Sequence, residues 1–258
     1  MKKITGTAAA FLGLAFAANA QLIDEKDVTV TMDLQPVLQL EMTTPNQIEF
    51  TFDEISEYYA GITQYAATIL KVSSTVSWDL YAVGRSNGTN GAEFWDQQID
   101  YGNDNPNAIP DLPLSLLELR QSQANNGDGA ATGAFTDYNQ AFSPSGTPSA
   151  GNSLYVNGGT ITPPTADDKY IAGHSGTSGV AGDDFIAGGS YLTQTGNTSD
   201  YYYAIDYRIL PGLPAIFPNA ADADGATFED IITVNGAGSY AEPGVYTMYV
   251  QYVLLEDQ

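Results

Sequence analysis

The sequence predicts an all-β fold, a β-sandwich with Greek-key or Ig-like connections and a long loop-rich insertion. Three observations carry that prediction. Apolar and polar residues alternate with period two in at least six runs, clusters of Gly, Pro, Asn and Asp separate the runs, and no stretch of comparable length has helical spacing.

Residues 1–20 read as a signal peptide. Lys2 and Lys3 form a positive n-region, 8–17 (AAAFLGLAFA) a short apolar core, and Ala18-Asn19-Ala20 an A-x-A cleavage site before Gln21. That core is about half the length a membrane-spanning helix needs, so no transmembrane segment is expected after cleavage. Residues 21–258 are expected to form a single β-sandwich domain with an irregular insertion lobe at about 85–200.

The first strand pattern is 28–34 (VTVTMDL), with Val28, Val30, Met32 and Leu34 on one face and Thr29, Thr31 and Asp33 on the other. This spacing predicts a half-buried strand, either paired within its own domain or donated to a neighbour. Pro36 interrupts it, and 37–42 (VLQLEM) resumes the alternation with Leu38, Leu40 and Met42 inward. A Pro45-Asn46 turn follows, then 48–54 (IEFTFDE), which shows Ile48, Phe50 and Phe52 to the core. Residues 66–83 hold two consecutive strands, the second placing Val76, Trp78, Leu80 and Ala82 on one face.

Between Arg85 and Asp200 the long alternating runs disappear under Gly, Asn, Ser, Thr, Asp and Pro. Short candidates interrupt this region at 113–120 (PLSLLELR), 153–156 and 184–187. A structureless loop of that length is unusual in a compact domain, which is why an insertion lobe is expected. Regular strands return at 200–210 (DYYYAIDYRIL) and 244–256 (GVYTMYVQYVLLE). In the latter, Tyr246, Met248, Val250, Tyr252 and Leu254 share a face and the opposite face is nearly as apolar, the pattern of a central or covered strand.

Composition narrows the function. The formal net charge is −23, and signal cleavage would remove two of the eight basic residues. The remaining basic residues are scattered, so neither a nucleic-acid backbone nor an anionic membrane surface has a basic patch to bind. Such a surface favours solubility in salt, attraction of cations and mutual repulsion of copies at low ionic strength. With no cysteine, an exported chain must draw stability from its core, and thiol catalysis, iron–sulfur clusters and cysteine zinc sites are excluded.

No motif selects a reaction. The sole histidine, His174, lies in AGHSGTSG without a G-x-S-x-G elbow and reads as an exposed loop residue. Residues 219–230 (NAADADGATFED) carry the Asp-x-Asp-Gly core of a calcium loop. Aligning Asp222, Asp224 and Gly225 to loop positions 3, 5 and 6 leaves Ala220 and Ile231 where the outer ligands belong. The candidate metal site is therefore a looser Ca²⁺ site made from Asp222, Asp224, Glu229 and Asp230, against an acidic turn as the plain alternative. No other cofactor is expected. Among so many acids nothing selects a glycosidase pair, so the chain is expected not to be an enzyme. Tyr58-Tyr59, Trp95 and Tyr201-Tyr202-Tyr203 are candidates for a sugar-stacking platform, although alternation sends part of the triplet to the core.

The run 68–82 (TILKVSSTVSWDLYA), with Trp78-Asp79-Leu80, and the ending 242–251 (EPGVYTMYVQ) resemble secreted bacterial surface β-sandwiches, namely proteins with WxL-type domains and fimbrial or spore-coat-type subunits. The leader ending Ala20-Gln21 is similar to those of exported Bacteroidota proteins. The resemblance implies a structural or adhesive role at a surface.

The reading that follows is a secreted or cell-surface, non-enzymatic structural subunit of a filament, fimbria-like fibre or surface layer. Its partners would be further copies or other surface proteins, joined through strand addition by the segment leading into 28–34. The alternative is a monomeric surface adhesin or carbohydrate-binding module with its site in the loops between Arg85 and Asp200, taking glycans as partners.

Overall fold

The computed structural model describes residues 24–76, 78–102, 105–123, 138–144, 148–149, 151–164, 169–172, 200–210, 217 and 230–256. The expected signal peptide, His174, the 184–187 candidate and the Asp222, Asp224 and Glu229 carboxylates lie outside these residues. The chain divides into two units, Met1–Gln35 and Pro36–Gln258.

In the first unit, residues 24–35 belong to no strand, helix or turn. The half-buried strand expected at 28–34 is not formed, and all four of its apolar residues are exposed. Alternation specifies an apolar face, whereas burial of that face also needs a partner strand.

The second unit is all-β, built mainly of antiparallel sheets. The largest has the order β1 (Leu38–Met42), β2 (Ile62–Ser74), β8 (Asp200–Ile209) and β6 (Leu117–Gln123). A second has the order β11 (Tyr249–Glu256), β3 (Trp78–Arg85) and β7 (Tyr170–Ala172). The strand β10 (Gly244–Thr247) pairs β4 (Asp96–Asp100), and the two-residue strands β5 (Ala108–Ile109) and β9 (Tyr240–Ala241) form a small parallel pair. Short helical turns complete the unit: α1 (Ile55–Ala60), a 3₁₀ turn at Leu114–Leu116 and α2 (Ile231–Asn235).

The chain passes from the first sheet to the second between β2 and β3, where the Ser74 hydroxyl bonds both N–H and C=O of Val76. Leu70 and Val72 of β2, Trp78, Leu80 and Ala82 of β3, and Tyr203, Ile205 and Tyr207 of β8 all enter one core. The predicted face of β3 is thus correct, and Trp78 meets Tyr203 edge to face at 6.5 Å. A smaller cluster of Tyr81, Val83 and Tyr170 covers the opposite face of β3.

Sequence and structure part in three further places. The run expected as one strand at 244–256 breaks at Met248, so that β10 pairs with β4 while β11 pairs with β3. Both halves keep the predicted face, since Tyr246, Met248, Val250, Tyr252 and Leu254 all pack on the main core. Yet β11 ends its sheet rather than lying at the centre. Within the region expected as an insertion lobe, β6 joins the four-stranded sheet and Leu114, Leu117, Leu119 and Leu154 are core residues, so its described part is built into the main body. Residues 48–52 turn Ile48, Phe50 and Phe52 onto the core as predicted, but without joining a ladder, and run into α1. The Glu57 carboxylate accepts the N–H groups of Asp53 and Glu54 there, which holds its pKa below the usual value and starts a helix that no apolar period announces.

Candidate functional site

The feature of the described residues that core packing does not absorb is the row Val28, Val30, Met32 and Leu34, which is 85%, 87%, 78% and 82% exposed. Fully burying one such side chain contributes about 1.5–3 kcal/mol, so four on one face of a ribbon form a strong latent contact. The local bonds are slight: the Gln35 side chain donates to Asp33 Oδ1 at 2.6 Å, and Lys26 meets Asp24 at 3.5 Å in full exposure. The backbone forms no helix, turn or strand here, and its N–H and C=O groups are those that strand pairing uses.

Of the candidate calcium ligands, only Asp230 is described. It is the N-cap of α2, and its Oδ1 accepts the Thr233 N–H at 2.7 Å, so one of its oxygens closes a helix end. Among the described residues no group of three or more His, Asp or Glu is arranged to hold a metal ion.

The aromatic candidates for a sugar platform differ in their surroundings, and the Tyr201 side chain lies outside the described residues. Tyr203 is fully buried against Trp78. Tyr58 is half-buried beside Phe52, with ring centroids 4.9 Å apart, and its hydroxyl donates to the Phe52 carbonyl. Trp95 is half-buried and donates its indole N–H to the Pro113 carbonyl at 3.1 Å. Tyr59, by contrast, is exposed.

Two polar arrangements that sequence reasoning missed hold loops onto the sheets. The Arg208 guanidinium on β8 grips Glu118 Oε2 on β6 through Nε at 2.7 Å and Nη2 at 2.6 Å. The other carboxylate oxygen accepts the Ser149 N–H at 2.6 Å, while Arg208 Nη1 donates to the Ser143 carbonyl and Nη2 to Ser149 Oγ. Burial pushes the Glu118 carboxyl above its usual range, against the opposing pull of Arg208 and the Ser149 N–H. At the other site the buried Asp96 accepts the N–H groups of Asn87 and Thr89, closing the loop after β3. Each partner is a common residue type far away in sequence or in an ordinary turn, so no motif marks either. Both networks are internally satisfied and read as structural clamps.

Among the described residues no helix is long and apolar enough to cross a membrane. No family model and no curated protein matches the chain.

Proposed function

We propose that this protein is an exported, non-enzymatic structural subunit of an extracellular or cell-surface assembly, a β-sandwich whose copies join by β-strand addition with residues 28–34 as the donated strand. The observation that carries this reading is the exposure of Val28, Val30, Met32 and Leu34 on a backbone that belongs to no strand or helix. Strand addition would bury that row and satisfy its backbone polar groups in one step. The four-residue apolar face sets the energy and the main-chain ladder sets the geometry.

The strongly acidic surface supports a salt-dependent assembly, because copies repel one another until counterions screen them over about 8 Å at physiological ionic strength. The test is electron microscopy and sedimentation of the protein from residue 21 onwards across a salt series, beside the double variant Val30→Asp/Met32→Asp. Fibres or sheets from the parent and monomers from the variant are the expected result. Monomers from both at every salt concentration would overturn the proposal and leave a monomeric adhesin or carbohydrate-binding module, for which the exposed Tyr59 is the first contact to examine.

A further inference from the structure

We propose that the outer edge of β11 is the acceptor, receiving residues 28–34 of a second copy as an added strand. This rests on the strand-addition reading above and assigns the partner surface for it.

The two main sheets have four outer edges, and three are poor acceptors. That of β6 is occupied: Leu119 N–H donates to the Asn152 carbonyl at 2.8 Å, Leu154 N–H to the Leu117 carbonyl at 2.9 Å, and Gln121 N–H to the Tyr138 carbonyl. Strand β7 has three residues among those described. Strand β1 has five, follows Pro36 and carries Glu41, which is paired with Lys71 at 3.4 Å. Short length, proline and charge are the devices that blunt an edge.

Strand β11 has none of them along its run. Its eight residues contain no proline and no basic residue, and the one acid is its last residue, Glu256. It pairs with β3 on one side, and among the described residues no backbone hydrogen bond reaches the other. Its composition is that of an interior strand, with Val250, Tyr252 and Leu254 directed to the main core and Val253 and Leu255 to the smaller cluster. Each of these five is nevertheless only half-buried and Tyr249 is 54% exposed, whereas its neighbour β3 is buried from Trp78 to Gly84. The apolar cover stops one strand short. Strand β1 approaches β11 without pairing with it, and its Leu38 and Met42 are themselves partly open.

The occupant follows from the same chain. Seven residues match the eight of β11, and their alternation would extend the Val250, Tyr252 and Leu254 row with Val28, Val30, Met32 and Leu34. The donor carries Asp27 and Asp33 at its ends. It would meet no acid between Tyr249 and Leu255, whereas on β1 it would face Glu41, and like charges across a ladder destabilise it.

The native chain has no cysteine, which makes disulfide trapping clean. Thr31→Cys, at the centre of the donor, is combined in the full chain with Gln251→Cys or Val253→Cys, which lie on the side of the sheet that Thr31 would share and cover two registers. A third pairing, with Gln39→Cys on β1, tests the competing edge. Residues opposed in a ladder lie within disulfide reach. The expected result is a covalent ladder of multimers with position 251 or 253 and none with position 39. Multimers with position 39 alone would overturn the β11 assignment and keep strand addition. Links formed within a single chain, or no link in any variant together with monomers in the microscope, would overturn both. Hydrogen exchange on the unmodified protein gives a second readout that needs no substitution. At a chain concentration about 100 times the dissociation constant, donor and acceptor deplete together and about a tenth of the acceptors stay free, so exchange in Tyr249–Glu256 should slow about tenfold relative to monomer. Protection of another edge in its place would overturn the assignment.

Discussion

The hydroxyls of Tyr207 and Tyr252 hydrogen-bond across the core, from β8 of the four-stranded sheet to β11 of the other. Thr68 Oγ1 on β2 lies 2.6 Å from the Tyr207 oxygen, so three hydroxyls make one chain between the sheets. It gives β11 a directional tie to the opposite sheet that apolar packing alone does not supply. Tyr252→Phe removes that tie while Tyr207 keeps Thr68 as a partner. The expected loss is about 1–2 kcal/mol, read from the urea midpoint at unchanged m value. Tyr252→Ala adds a cavity and should cost about 3–5 kcal/mol.

The same tyrosines set an alkaline limit. Burial raises the pKa of Tyr207 and takes that of Tyr252 well above the usual phenol value. The folded state thus holds these protons at a pH where the unfolded chain releases them. Their contribution to stability is complete below about pH 10 and falls as pH rises through the folded values. Thermal melts across that range should decline, and Tyr252→Phe should make the decline shallower. An equal slope in parent and variant would remove Tyr252 as a cause.

Glu118 and Arg208 act as a unit. Removing one partner by Glu118→Gln or Arg208→Met leaves the other buried without its counter-charge, and each change should cost about 3–5 kcal/mol. The double variant Glu118→Leu/Arg208→Met should recover much of that loss. A double-mutant cycle by chemical denaturation checks the coupling, and strictly additive losses would show that the pair is not one unit.

The bulge in β2 between Gln64 and Thr68 holds Ala66 at a φ of 48°, with its N–H donated to Asp206 Oδ1 at 2.7 Å. An alanine there pays a steric penalty that glycine avoids, so Ala66→Gly should raise stability by about 0.5–1 kcal/mol. Asp206→Ala should lower it by removing the acceptor that fixes the bulge. Thermal unfolding of the two variants should therefore move in opposite directions.

Much of the fold is legible because alternation reports faces. The strands at Leu38–Met42, Trp78–Arg85 and Asp200–Ile209, and the core face shared by Tyr246, Met248, Val250, Tyr252 and Leu254, follow from period two alone. The strand candidate at 113–120 overlaps β6, but PLSLLELR is too short a signal to announce membership of the largest sheet. The donor candidate was visible as an amphipathic ribbon at 28–34, while β11 read as a central or covered strand.

The sequence by itself determined the all-β class, the acidic surface and which side chains along each strand are apolar, because these depend on residue chemistry and local spacing. Tertiary structure alone decided that Glu118 meets Arg208 ninety residues away, that β11 ends its sheet, and that Val28, Val30, Met32 and Leu34 stay uncovered. The physical reason lies in the backbone. Ladder hydrogen bonds join N–H and C=O groups that almost every residue carries, so they leave little signature of which strand pairs with which.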